Sequence, residues 1–430
     1  MSNRAYASRF RLEPLTWLSA VAAATERIGL IGTASTTYTQ PYNLARLFAS
    51  LDHLSAGRAG WNIVTTGAPQ AAANFGLDAH PVHAERYERA RDFLEAVTKL
   101  WDSWEDDALV ADRAGGLFAD TDRIHAVDHE GPLVRVKGPL NIPRSPQGRP
   151  VYVQAGSSPD GRALAARYAE AVFTAHQTPE SAQEFYADLK GRAARLGRDP
   201  GQLLVLPGIS PFVASTEAEA RRLHEEFNSL TQPEYSLELL HRLLGIRLSQ
   251  EELDGPVPRE LIGTEGERGD HSRFRLVLGI IEREELTVRQ LLHRLAGARG
   301  HRVIAGTPEQ VADQLQQWFE QGAADGFNVM PPWLPGGFEV FADEVVPILR
   351  RRGLFRHASR AAHCGSTTGC PGRWGALGGC RAARRGRATF SGGAAPRGAR
   401  SCAPHAAPTR SGAPRRRPPP RPVRQRPEAG

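Results

Sequence analysis

Cysteine is absent from residues 1–356 of this 430-residue chain; the four that exist, Cys364, Cys370, Cys380 and Cys402, all lie beyond them. The longer part therefore needs no disulfides, which suits a cytoplasmic protein. The spacings of six, ten and twenty-two positions among those four match no paired zinc knuckle. There is no apolar run of bilayer length and no secretory leader, so neither membrane spanning nor secretion is expected. Neither a phosphate-loop signature nor a dinucleotide fingerprint occurs, which argues against an NAD-binding Rossmann domain. Internal repeats are also missing.

Lysine is absent from residues 357–430, which hold fifteen Arg and a single acid, Glu428, and so carry +14. The whole chain is only +7, so residues 1–356 carry −7 and the overall pI of about 9.5 is a property of the tail. Net charge is thus no argument for a nucleic-acid binder. The tail is rich in Gly, Ala, Pro and Arg and poor in large apolar residues, and such a composition cannot offset chain entropy by burial; disorder is expected. Three origins stay open: an out-of-frame extension of a GC-rich gene, a basic arm for acidic partners, and an ordinary solvated tail. A nucleic-acid arm would interleave aromatics with its charges, and only Trp374 and Phe390 are present.

What the chain does contain is clearest from Glu13 to Thr66. Leu15, Leu18, Val21 and Ala22 fall at helical spacing, and Ile28 to Ile31 is an apolar run opening into Thr33-Ala34-Ser35-Thr36-Thr37. Pro41 suits the first position of a second helix that Gly57 closes, and Trp61 to Val64 reads as a buried strand ending in Thr65-Thr66. Parallel α/β proteins place their chemistry where strands run out into loops. Further on, a helix is expected from about Glu85 to Trp104, a polar excursion from Ala108 to Arg149 with a hairpin near His129, and strands at Val151–Gln154, Ala171–Thr174, Leu203–Leu206 and Phe327–Met330. Thr307-Pro308-Glu309-Gln310 is a capping box, and a last helix ends near Arg351.

Several of these segments resemble the bacterial luciferase superfamily of flavin-dependent monooxygenases, in particular the branch of nitrilotriacetate monooxygenase component A and dibenzothiophene-sulfone monooxygenase. The residues that carry the likeness are TASTTYTQPYNLARLFASLDHLSAGRAGWNIVTT, then NFGLDAHPVHAERYERA from Asn74, LWDSWEDDA from Leu100, HEGPLVRVKGPLNIPRSPQGRPVYVQAGSSPDG from His129, and VLPGISPFV, GTPEQVADQLQQWFEQGAADGF and VVPILRRRGLFR. The resemblance spans roughly Glu13 to Arg356. It implies an α/β fold, a TIM-type (β/α)8 barrel over residues 1–356, with an insertion at about 225–300 acting as a lid, followed by the disordered basic tail at 357–430. Relatives place a strand, a helix, a second strand and a carboxylate before the EPLTWL helix, so the expected barrel is incomplete, lacking its first two strands.

The resemblance further implies an FMNH2-dependent, two-component reaction. A separate NAD(P)H-dependent flavin reductase supplies the reduced flavin, and one oxygen of O2 passes through a flavin C4a-(hydro)peroxide into a small organic substrate. A homo-oligomer is implied as well. An inactive remnant of the family is the alternative, and a hydrolase using paired acids is a more distant one.

Five residues are candidates for holding FMN. Thr33 ends a strand, where the pattern alone fits a space-filling residue equally well, and it matches the family's flavin-binding threonine. His83 and Tyr87, four apart, share a helix face; the pattern alone favours a capping histidine and a core tyrosine, whereas the HAERY match points to the flavin. Ser157 and Ser158 open a helix after a buried strand, a junction suited to a phosphate, with Asp160 as a possible N-cap. Asn62 is a weaker pocket candidate. No catalytic residue is assigned, since the flavin carries the chemistry. No metal site is expected: His125 and His129 read as solvated hairpin histidines without a third ligand, and Glu105, Asp106 and Asp107 as a loop cluster.

Overall fold

The structure is a computed structural model that describes residues 11–263 and 271–357, apart from Gly297 and Arg299. These all fall in the first of two compact units, residues 1–381. The expectations placed on the tail concern residues outside the described set, save His357.

In chain order the elements are α1 (Pro14–Ala24), β1 (Leu30–Ser35), α2 (Pro41–Leu54), β2 (Ala59–Val64) and α3 (His83–Trp101). The polar excursion then contains two short pairs, β3 (Leu109–Asp112) with β4 (Leu117–Ala119) and β5 (His129–Glu130) with β6 (Arg135–Val136). Next come β7 (Val151–Gln154), α4 (Pro159–Tyr168), β8 (Ala171–Thr174), α5 (Pro179–Arg195) and β9 (Leu204–Val213). The insertion supplies α6 (Glu217–Ser229), α7 (Pro233–Leu244), α8 (His271–Arg283) and α9 (Val288–Ala296). The chain then forms β10 (Arg302–Gly306), α10 (Pro308–Glu320), β11 (Asn328–Val329), α11 (Gly336–Val340) and α12 (Val346–Arg351), the last two joined by a π-helical turn.

Seven strands build one parallel sheet in the order β1-β2-β7-β8-β9-β10, with β11 also on β9. Strand–helix alternation requires this, because a parallel neighbour is reached only by a crossover. Burial on both faces explains why β7 and β9 read as nearly unbroken apolar runs. Trp61 is the hub of the first core, with ring centroids about 6 Å from Phe48, Phe93, Trp101 and Tyr152. Its indole N–H donates to Ala34 O at 3.0 Å, and that of Trp101 to Ala45 O at 3.0 Å, so α2, α3, β1, β2 and β7 are locked in register. Helices α7, α8 and α9 bury their apolar faces on one another, with Leu240, Leu244, Ile280 and Leu291 fully enclosed.

Most element expectations hold, with three corrections. The strand expected at Leu203–Leu206 runs on to Val213, and the one at Phe327–Met330 shortens to two residues. The helix expected to reach Trp104 ends at Trp101; Trp104 instead donates its indole N–H to Leu140 O at 2.7 Å. His129 is not solvated. It is 5% exposed and donates from Nε2 to Asp92 Oδ1 at 2.8 Å, while Lys99 Nζ donates to its Nδ1 at 3.2 Å. Asp92 also accepts from Leu133 N at 2.7 Å, so the hairpin is tied to α3 by a buried carboxylate. His125, in contrast, is exposed and meets Glu105 at 2.7 Å. Among the described residues no helix is long and apolar enough to cross a membrane, and no group of three His, Cys, Asp or Glu could hold a metal ion.

Candidate functional site

The ends of β2, β7 and β8 open into a cavity of about 900 Å³, closed on other sides by the start of α3 and by α8. Arg86 fixes the end of β2. It is buried, and its guanidinium donates to Thr65 O, Thr66 O at 2.6 Å and Pro81 O at 3.1 Å. The carbonyls it holds belong to a turn in which Thr66 sits at a φ of 48° and shares a 2.6 Å hydroxyl contact with Ser35. Burial lowers the Arg86 pKa from its ordinary value, but an arginine stays charged.

After β7 the chain turns through Gly156, Ser157 and Ser158 into α4. Ser158 is the N-cap: its Oγ accepts from Gly161 N at 3.1 Å, so the expected capping role of Asp160 passes to a residue two positions earlier. Asp160 instead faces His83 Nε2 at 3.3 Å. Arg162 donates from Nε to Ser157 O at 3.0 Å and from Nη1 to Asp188 at 2.9 Å, which holds the turn from below. The Tyr87 ring packs beside that of His83, with centroids 4.8 Å apart. Gly156 is forced: a Cβ there would stand 2.4 Å from Gln154 Nε2 and 2.9 Å from the Tyr87 hydroxyl.

Four of the five predicted residues, His83, Tyr87, Ser157 and Ser158, therefore meet in one wall of the cavity. Thr33 is placed elsewhere, on an exposed position of β1, where its Oγ1 accepts from Asn62 Nδ2 at 3.0 Å. Asn62 likewise lies outside the cavity lining, with its Oδ1 buried and unpartnered. The sequence reading missed Gln154, His176 and the α8 residues. His176 bridges the Thr174 hydroxyl at 2.9 Å and the Ser181 hydroxyl at 3.0 Å. Burial, then Arg162 and His301, push its pKa down to about 4, so it is neutral at pH 7. His301 stacks on Phe173 at 4.8 Å.

These residues suit a flavin mononucleotide. The N-terminus of α4 with two serine hydroxyls forms an anion seat for a phosphate. Gln154 Oε1 is buried without a partner in the wall, available to accept from a ring N–H. The cavity volume lies at the large end of the range for small-molecule sites, roughly 300–1,000 Å³.

A model of the luciferase-like monooxygenase family matches residues 2–325. The chain is 51% identical over 347 residues to N-acetyl-S-(2-succino)cysteine monooxygenase of Bacillus subtilis (strain 168), covering 80% of this chain and 78% of that protein. It is 51% identical over 346 residues to nitrilotriacetate monooxygenase component A of Aminobacter aminovorans, covering 80% and 76%. Among solved structures, a riboflavin lyase with modified FMN and its substrate riboflavin is similar at a TM-score of 0.72 and 36% identity, over 82% of this chain and 76% of that one. With its parallel sheet, its strand-end cavity and these likenesses, the chain belongs to the luciferase-like monooxygenase family, whose named relatives are oxidoreductases.

Proposed function

We propose that this protein is the oxygenase of a two-component system that uses FMN reduced by a separate NAD(P)H-dependent flavin reductase. The sheet is then part of a TIM-type barrel, and the reaction is cytoplasmic. The observation that carries the reading is the turn from Gly156 to Gly161, which packs against Tyr87 and presents Ser157, Ser158 and the start of α4 to the cavity. The word "component" in the name of one relative supports a division of labour between two proteins.

When bound, reduced FMN supplies the activation of O2 and the transfer of one oxygen atom to the substrate. The chain supplies the rest. Ser157 and Ser158 hold the phosphate together with the amides of α4, and Arg162 keeps their turn in place. His83, anchored on Asp160, and Tyr87 line the approach to the ring. Gln154 orients the ring edge. Thr33 enters the reading on resemblance alone. Helix α8 lies over the mouth as part of a lid that keeps water from the reacting centre.

An anaerobic titration of the purified chain with FMNH2 tests this reading, alongside Tyr87→Phe and Ser158→Ala. Saturable binding, weakened about tenfold or more by Ser158→Ala and less by Tyr87→Phe, is the expected result for lost hydrogen bonds to a charged or polar ligand group. A folded chain that takes up no FMNH2 would refute it.

A further inference from the structure

We infer that Arg86 makes this site selective for the redox state of its cofactor: its buried charge favours the reduced, anionic flavin ring over the oxidised, neutral one. The inference rests on the flavin reading above and names the residue that tells the two forms apart. Arg86 is 4% exposed, yet it belongs to the cavity wall at the end of β2. Its Nε donates to Pro81 O, and its Nη1 to Thr65 O and Thr66 O. Among the described residues Nη2 has no protein acceptor, so the guanidinium keeps donors for what the cavity holds.

A buried cation is normally paired with a carboxylate, and among the described residues none pairs with Arg86. Arg162, in the same wall, pairs with Asp188 at 2.9 Å. Arg58 and Arg198 also donate to carbonyls, but those close the C-terminal ends of α1 and α4, where the helix itself carries negative partial charge. Arg86 sits in the first turn of α3, beside the positive end of its helix. Its ionisable neighbours are Tyr38, Tyr87 and His80, and burial, then Arg86, lower the pKa of His80. That is the sign an uncompensated positive charge produces. The carboxylate in the wall, Asp160, is half-exposed and faces His83 at 3.3 Å.

The phosphate seat at the start of α4 lies at the end of β7, and β2 is the neighbouring strand, about 4.8 Å away. Arg86 is thus within reach of a ligand whose phosphate is held by Ser157 and Ser158. The ring of oxidised flavin is uncharged, whereas the reduced ring is a weak acid that loses a proton near neutral pH; the phosphate charge is common to both. A fixed cation in a poorly solvated wall distinguishes the two rings. For an oxygenase supplied with reduced cofactor by another protein, this takes up the reduced form and releases the spent one.

The test measures Kd for FMNH2 without oxygen and for oxidised FMN, on the full chain and on Arg86→Gln, Arg86→Lys and Ser158→Ala, and repeats both with riboflavin, which lacks the phosphate. The parent should bind the reduced form more tightly. Arg86→Gln should shrink the ratio of the two Kd values about tenfold, or about 30 mV in the midpoint potential of the bound two-electron couple. Arg86→Lys should keep the parent's ratio whatever it does to the separate Kd values, and Ser158→Ala should weaken both forms alike. Riboflavin should show the same change of ratio as FMN. Equal binding of the two forms by the parent overturns the inference. So does a parent-like ratio in Arg86→Gln, which leaves Arg86 a structural tie of the β2 turn. A change seen with FMN and not with riboflavin overturns it too, by placing the charge at the phosphate. If Arg86→Gln does not fold, Arg86→Lys decides: loss of the parent's ratio there sinks the idea. Failure of the parent to bind FMNH2 removes the flavin reading and this inference with it.

Discussion

His176 shows what burial does to a single residue here. Its ring is held by two hydroxyls and its pKa is pushed down to about 4, by burial first and by Arg162 and His301 after it. In the unfolded chain it titrates near 6.5, so below that pH the unfolded state binds the extra proton and folding loses stability. The loss grows as pH falls from about 6.5 to about 4 and amounts to at most about 3 kcal/mol. His176→Gln should therefore flatten the pH dependence of the urea midpoint across that window; a slope equal to the parent's would show that the ring is not held neutral. Gly156 gives a second prediction. Gly156→Ala drives a methyl into Gln154 and Tyr87, and displacing that turn should cost about 1–3 kcal/mol of stability and most of the FMNH2 affinity, read by thermal unfolding and titration. The i, i+4 spacing made His83 and Tyr87 legible as a pair, because both lie on one helix. Gln154, His176 and Arg275 were not legible: each sits on a different element, and only the fold brings those elements to one cavity. Thr33 illustrates the converse, a strand-end hydroxyl whose sequence position alone does not say which way it faces.

Local chemistry accounts for the elements that were read correctly. The capping box of Thr307 and Gln310 forms as expected, and α2 starts at Pro41 and is closed by Gly57 at a φ of 85°. The full length of β9 was hidden by Pro207 and Pro211, which read as strand breakers. The structure shows why they are tolerated. Leu204 N donates to Glu170 O ahead of β8, and Ala214 N to Gly306 O at the end of β10, so the donors on that edge come from even-numbered residues. Both prolines are odd-numbered, and their missing donors fall on the opposite edge, where the short β11 pairs through Met330 N to Ile209 O. The β5–β6 hairpin was also legible, but its buried anchor was not, since Asp92 arrives from α3. Gly131 makes room for it: a Cβ there would stand within bonding range of the Asp92 carboxylate. Gly131→Ala should expel Asp92 from His129 and Leu133 and destabilise the fold by about 2–4 kcal/mol; a denaturant midpoint near the parent's would show that the carboxylate is not a structural tie.

At the scale of the whole molecule, alternation of strand and helix made the parallel sheet predictable, while the placement of the insertion depended on its own packing. Helices α7, α8 and α9, with Ile246, Leu253 and Val257 from the segment between α7 and α8, enclose a hydrophobic cluster within the insertion, yet α8 contributes Arg275, Leu276, Gly279 and Arg283 to a cavity otherwise lined mainly by strand ends and the starts of α3 and α4. A segment with its own core and few ties to the sheet is the kind of unit that opens independently of global unfolding. Such opening is what a lid requires, since substrate must enter a site that later excludes water. Amide hydrogen exchange resolves the two motions. In the unliganded chain α8 and α9 should exchange faster than α2, α3 and β7, whose amides surround the Trp61 cluster. Loading with FMNH2 should slow exchange at the start of α4, and at α8 as well if the insertion closes over the filled cavity. Protection of α8 equal to that of α3 before any ligand is added would mean that the insertion is a fixed wall, and that access to the cavity runs through another opening.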